Sequence, residues 1–238
     1  MINLKIFIMS KVAVILAGGL GTRLKPYTVT IPKPLVPIQD KPVLEHLILA
    51  LKKHGFSKYI ITLNHMSSFI RAYFGDGSEL GVVIEYSEEK KRLSTIGPLS
   101  IIEGLPNNFL IINSDVLTDL DFSAMWEEHI QKDNIFTVGT YNVEVKSEFG
   151  ELVINKENSI VEFCEKPIMK RLVSMGVYMA NKDVLRYVPS DTFYGFDHLM
   201  LDLIHSKDFA SSYNHDGFWL DIGRPSDYER AENYIAKI

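Results

Sequence analysis

A single cysteine among 238 residues, Cys164, leaves the chain unable to close an internal disulfide. That excludes a disulfide-stapled secreted scaffold and fits a reducing, cytoplasmic setting. Cations are scarce as well. The 25 Lys and Arg stand against 30 Asp and Glu, a net charge of −5, so there is no broad basic face for a nucleic-acid backbone. Long hydrophobic runs are missing too: even the opening residues 1–19 are interrupted by Lys5 and Lys11, leaving neither a signal-peptide core nor a membrane span. No membrane partner is expected. The chain also lacks repeats and linkers, and it reads as one domain over residues 1–238, with residues 1–8 a candidate N-terminal extension if translation begins at Met9. Several chemistries are absent by motif. The seven histidines show no metal-ligand spacing, there is no Gly-x-Ser-x-Gly elbow, no base stands near Cys164 to activate it, and no Gly-Lys-Ser or Gly-Lys-Thr marks a P-loop.

What remains is a soluble globular balance, 46% apolar and 23% charged. Lys11 to Leu16 is a continuous apolar run, as expected of a strand buried on both faces. Val43, Leu44, Leu47, Ile48 and Leu51 recur at helical spacing between Pro42 and Gly55. Strands are predicted at Lys58–Leu63, Val82–Tyr86, Phe109–Asn113 and Ile135–Thr140, with helices at Ser67–Phe74 and Phe122–Lys132 between them. This alternation predicts an α/β domain with a mostly parallel sheet and helices on both faces. Glu148 to Phe163 breaks the pattern and reads as a hairpin about Lys156-Glu157-Asn158-Ser159. A strand at Leu172–Met179, helices at Asp183–Tyr187 and His198–Ser206, a strand at Phe218–Asp221 and a helix after Pro225 complete the prediction.

Ligands of open α/β sheets bind beyond the carboxyl ends of the strands. The first such end carries Leu16-Ala17-Gly18-Gly19-Leu20-Gly21-Thr22-Arg23-Leu24. Glycines let backbone N–H groups converge on phosphate oxygens, and an arginine adds a bidentate grip, so the segment is suited to a polyphosphate. It is not a dinucleotide fingerprint: the third glycine would fall at Leu24, and Asp40, though nearly at the right spacing, precedes a helix after a proline-rich loop. Ile31-Pro32-Lys33-Pro34-Leu35-Val36-Pro37 then holds Lys33 between prolines, which suits a fixed charge beside a phosphate. Lys25 is expected to be solvated. Phe109 to Asp115 is an apolar strand ending in a carboxylate, and Asp221 is the best partner for sharing a Mg²⁺ with Asp115, since that ion usually takes only one or two protein carboxylates. Asp119 and Asp121 also resemble the DxD signature of metal-dependent glycosyltransferases, though they precede the Phe122 helix and read more simply as its cap.

With GGLGTRL, PKPLVPI and DKP in sequence, the chain resembles the sugar-phosphate nucleotidyltransferases, and the likeness runs over nearly its whole length. The resemblance implies a Rossmann-like three-layer sandwich with a small β-hairpin subregion at the sugar site. It implies a reaction joining a nucleoside triphosphate to a sugar 1-phosphate with release of pyrophosphate, using Mg²⁺ at Asp115 and Asp221, in surface polysaccharide synthesis. Arg23 and Lys33 would be the catalytic cations, and Leu16, Ala17, Gly18, Gly19, Gly21 and Thr22 would hold the nucleotide. Glu165-Lys166-Pro167 resembles the family's sugar motif, with Glu165 accepting from hydroxyls, Lys166 meeting the sugar phosphate and Gly150 offering an N–H. In the base loop, Leu93-Ser94-Thr95-Ile96-Gly97-Pro98-Leu99 stands where Leu-Gly-Thr-Ala-Gly-Pro-Leu is commoner, so only Thr95 and Gly97 carry over. The likeness is greatest to mannose-type guanylyltransferases, which favours GTP with a hexose or heptose 1-phosphate while CTP and UTP stay open. A glycosyltransferase and a non-catalytic, nucleotide-binding regulator are the rival readings, and the sequence gives no indication of oligomeric state. Longer relatives carry a C-terminal β-helix, and no second activity of that kind is expected in a chain that stops one helix past Asp221.

Overall fold

The computed structural model describes residues 11–19, 21–24, 27–64 and 66–237. The readings of residues 1–8 and of Lys25 lie outside those residues. Strand β1 (Lys11–Leu16) is followed by two very short strands, β2 (Pro37–Ile38) and β3 (Lys41–Pro42), then helix α1 (Val43–Lys53), β4 (Phe56–Leu63), α2 (Ser67–Phe74) and β5 (Val83–Glu88). Next come β6 (Asn108–Asn113), β7 (Val116–Thr118), α3 (Phe122–Gln131), β8 (Phe136–Lys146), the hairpin β9 (Glu151–Ile154) and β10 (Ile160–Cys164), and β11 (Ile168–Asn181). The chain closes with α4 (Phe196–Ser206), β12 (Ser211–His215), β13 (Trp219–Asp221) and α5 (Pro225–Ile235).

Seven strands form the central sheet in the order β12-β8-β11-β6-β1-β4-β5. All neighbours pair parallel except β11, which runs antiparallel to both β6 and β8, so the predicted mostly parallel α/β sheet is present. Alternation along the central strands explains the layers. Ala13 and Ile15 of β1 and Leu110 and Ile112 of β6 pack under α1, α2 and α3, whereas Val12, Val14, Phe109 and Ile111 pack under α4 on the other face. A run apolar at every position is therefore what a strand sandwiched between helices requires. A third apolar cluster seats α5 on β7 and β13 through Leu117, Leu220, Ile222 and Ala231.

The structure differs from the sequence reading at four places. Asp183–Tyr187 lies in a 3₁₀ segment, Lys182–Tyr187, capped by Asn181, rather than in an α-helix. Strand β12, Ser-Ser-Tyr-Asn-His, was not anticipated because its half-exposed polar face carries no hydrophobic pattern. β8 and β11 run on past the core, pairing from Thr140 with Ser174 out to Lys146 with Ile168, to form an exposed ribbon that carries the hairpin. Strand β7, three residues long, was too short for periodicity to register; it pairs with β13, which lies within the predicted Phe218–Asp221 strand, and this ladder has the largest consequence for the site.

Candidate active site

The parallel strands β1, β4, β5 and β6 point their carboxyl ends to one edge, where a cavity of about 360 Å³ opens. Leu16, Thr62, Glu89 and Asn113, each at or just beyond one of those ends, form its floor. The glycine loop forms one wall. Gly21 has φ +60°, and a Cβ there would come within 2.9 Å of Thr28 Cγ2 and 3.1 Å of Lys33 Cβ, so this turn closes on glycine alone. Thr28 Oγ1 donates to the Gly21 carbonyl at 2.7 Å and Leu24 N to the same oxygen at 3.0 Å. The resulting 3₁₀ turn, Thr22–Leu24, turns Arg23 toward the cavity, with its guanidinium carbon 3.5 Å from where a Cβ on Gly223 would be.

Lys33 stands in a turn that begins at Pro32 and contains Pro34, with Leu35 N and Val36 N bonded back to the Pro32 and Lys33 carbonyls. Its side chain is 12% exposed, its ammonium forms an ion pair with Asp115 Oδ2, and Asp221 Oδ1 lies 3.9 Å from the same nitrogen. The two aspartates are distant in sequence and meet through the β7–β13 ladder, in which Asp221 pairs with Val116 and Ile222 N donates to the Asp115 carbonyl. Asp221 Oδ1 is buried without a hydrogen-bond partner, and burial together with the Asp115 charge pushes its carboxyl well above the usual range. The oxygens of Asp115 and Asp221, one of them orphaned, are donors of the kind a divalent cation takes, at a position the Lys33 ammonium fills here. Among the described residues no larger cluster of His, Cys, Asp and Glu has metal-binding geometry.

The predicted residues do not all reach the cavity. Leu16, Gly18, Gly19, Gly21, Thr22, Arg23, Lys33, Thr95 and Asp115 line it. Ala17 is buried, with its N–H on the Thr62 carbonyl, and Gly97 is buried where a Cβ would strike the Thr192 carbonyl. Both lie outside the lining, as do Asp221, Gly150, Glu165 and Lys166. Thr95 Oγ1 accepts from Phe196 N at 2.8 Å, at the first turn of α4. Gly150, Glu165 and Lys166 cluster at the root of the hairpin, Glu165 Oε2 being 2.9 Å from a Cβ placed on Gly150. Asp121 caps α3 by accepting from Ser123 N and Ala124 N, and Asp119 accepts from Phe218 N at 2.6 Å, so the DxD pair is engaged in structure.

Four lining residues, Thr62, Glu89, Arg92 and Asn113, were not singled out from the sequence. Glu89 matters most. It is 8% exposed, its Oε2 accepts from Leu93 N at 2.9 Å, and its Oε1 lies 2.8 Å from where a Cβ on Gly18 would sit. Burial pushes its carboxyl upward. The available signal was its place directly after a strand end, the rule that had identified the glycine loop and Asp115.

A nucleotidyl transferase family model matches residues 12–238. The UTP–glucose-1-phosphate uridylyltransferase of Synechocystis is 36% identical over 92% of this chain, and a mannose-1-phosphate guanylyltransferase catalytic subunit beta of Danio rerio is 34% identical over 91%. The chain spans about 62% of the length of each. Among solved structures, HddC from Yersinia pseudotuberculosis complexed with GMP-PN is 27% identical with a TM-score of 0.71, over 94% of this chain and 99% of that one. A Bacillus anthracis structure at 23% identity shares the fold with a TM-score of 0.77. By its sequence, its sheet and the loop at its first strand end, the chain belongs to the nucleotidyl transferase family.

Proposed function

We propose that this chain is a sugar-1-phosphate guanylyltransferase that joins GTP to a hexose or heptose 1-phosphate, releasing pyrophosphate and leaving a GDP-sugar for surface polysaccharide synthesis. The observation that carries the transfer is Lys33 clasped between Asp115 and Asp221 at the mouth of the glycine loop. An oxygen of the sugar 1-phosphate attacks the α-phosphorus in line. A new O–P bond forms, and the bond to the β-phosphate breaks with pyrophosphate taking the electron pair. No protein base is needed, because a phosphate monoester with a second pKa near 6 is already largely dianionic at neutral pH. Repulsion between the reactants is the main obstacle: two unit charges 4 Å apart repel by about 4 kcal/mol at an effective dielectric of 20. Arg23, Lys33 and the converging loop N–H groups offset that repulsion, and Lys33 turns from the carboxylates to the phosphates as the triphosphate arrives. Asp115 and Asp221 would hold a divalent cation, which would supply further neutralisation of the phosphates. Gly150, Glu165 and Lys166 take the sugar and its phosphate.

Glu89 supports GTP. Guanine presents two adjacent donors, N1–H and N2–H₂, to a facing carboxylate, whereas uracil flanks its single donor with carbonyls and cytosine sets a lone pair beside its amino group. A buried carboxylate therefore favours guanine and repels the pyrimidines. The HddC structure with GMP-PN and the guanylyltransferase relatives point the same way. The test is magnesium-dependent pyrophosphate release from each triphosphate by wild type and Glu89→Gln. Replacing the charged acceptor costs about 1.5–3 kcal/mol, so kcat/KM for GTP should fall roughly 10- to 150-fold while UTP use rises as the repelling charge is lost. A wild type that prefers UTP or CTP, or equal losses with every base, would contradict the assignment.

A further inference from the structure

We propose that the apolar face of the β9–β10 hairpin joins two copies of this chain about a two-fold axis. The ladder fixes which side chains share a face: Leu152 pairs with Phe163 and Ile154 with Ile160, while Glu151 pairs with Cys164 and Val153 with Glu162 on the other side. One face is thus wholly apolar, and both acidic residues of the ladder sit on the opposite one. A one-residue bulge between Ile160 and Glu162 adds Val161.

Leu152, Ile154, Ile160, Val161 and Phe163 are each 55–63% exposed. The two strands form a sheet of their own and join no other strand. An isolated two-stranded hairpin is marginal in water, and contiguous apolar patches of several hundred Å² mark contact surfaces. These five side chains expose roughly 500 Å², so a two-fold pair would bury about 1,000 Å² of apolar surface before any polar rim is counted. That total reaches the roughly 1,000 Å² that a specific interface must clear. A polyhydroxylated, phosphorylated sugar cannot cover such a face without leaving its own polar groups unsatisfied. A second copy can, because an uncharged apolar face is complementary to itself across a two-fold axis.

Cys164 offers a direct reporter. It is the only cysteine, it is exposed, and it pairs with Glu151 on the face away from the proposed contact. A nitroxide there places one spin on each chain, so any dipolar coupling is intermolecular. Wild type should run in light scattering at twice the chain's 27.1 kDa and show that coupling. Ile154→Glu with Ile160→Glu should return the mass to that of one chain and abolish the coupling, while Val153→Glu on the opposite face should leave both intact. The wild-type measurement stands even if a variant misfolds: a monomeric wild type without coupling overturns the proposal. So does a dimer that survives the double substitution, or one that Val153→Glu disrupts equally.

Discussion

Replacing Lys33 by Met removes the cation that, among the described residues, lies within 4 Å of both Asp115 and Asp221, and leaves two carboxylates facing each other. Lys33 and Asp115 are 12% and 13% exposed, so their pair is nearly buried, whereas the Asp221 side chain is 41% exposed and partly screened. Breaking a buried pair costs about 3–5 kcal/mol, and the partial solvation of Asp221 lowers the expected loss to roughly 2–4 kcal/mol. For a domain of this size that corresponds to a fall in Tm of roughly 5 to 15 °C, measured by calorimetry in EDTA. The deficit has a definite pH dependence. A carboxyl raised above its ordinary 3.8, as Asp221 is, stabilises the fold while protonated and loses that contribution as pH rises through its folded pKa. Lys33 lowers that pKa, so without it the deficit should be small near pH 5 and largest above pH 7. Magnesium at 100 times its Kd should restore about 2.7 kcal/mol to the variant. A Lys33→Met protein as stable as wild type in EDTA, with no response to pH or magnesium, would refute the clasp and the metal assignment together.

Two further outcomes follow from features away from the phosphates. His129, on the buried face of α3, has its Nδ1 2.8 Å from Thr137 Oγ1 and its Nε2 without a partner, and burial lowers its pKa from 6.5 to about 4. The unfolded chain takes up that proton first, so stability present above pH 6.5 should decline by up to about 3 kcal/mol as pH falls toward 4, read from urea midpoints. An imidazole that titrates above pH 6 by NMR would contradict this. Ser94 adopts φ +70°, a conformation that favours glycine, which accounts for the glycine commoner at this position in the resembling family. Ser94→Gly should raise the urea midpoint, by roughly 0.5–1 kcal/mol, and a loss of stability would contradict the strain.

Much of this was legible because burial leaves a mark in sequence. β1 and β6 are apolar at successive positions since helices cover both their faces, and that is also why Asp115, appended to such a run, stood out. The glycine loop was legible because its chemistry is local: Gly21 through Arg23 form one turn. Partners fixed by long-range pairing were harder to read. Asp221 meets Asp115 only through a three-residue ladder, and Glu89 reaches the cavity only because β5 lies parallel to β4. Strand β12 forms by adding to β8, with a polar sequence that no periodicity rule detects. The hairpin was legible from its break in the alternation, but its uncovered apolar face is a property of pairing register and could not be read from composition.

The central claim, that the glycine loop, Arg23, Lys33 and the paired aspartates bring two phosphates together for nucleotidyl transfer, is tested most directly by ³¹P NMR of GTP and mannose 1-phosphate mixed with enzyme and magnesium. The account predicts that pyrophosphate and a GDP-sugar appear in equal amounts as both substrates decline, and that Asp115→Asn, folded as judged by circular dichroism, gives neither. Inorganic phosphate as the only product, no conversion with any common sugar 1-phosphate and triphosphate, or full turnover by Asp115→Asn would contradict it.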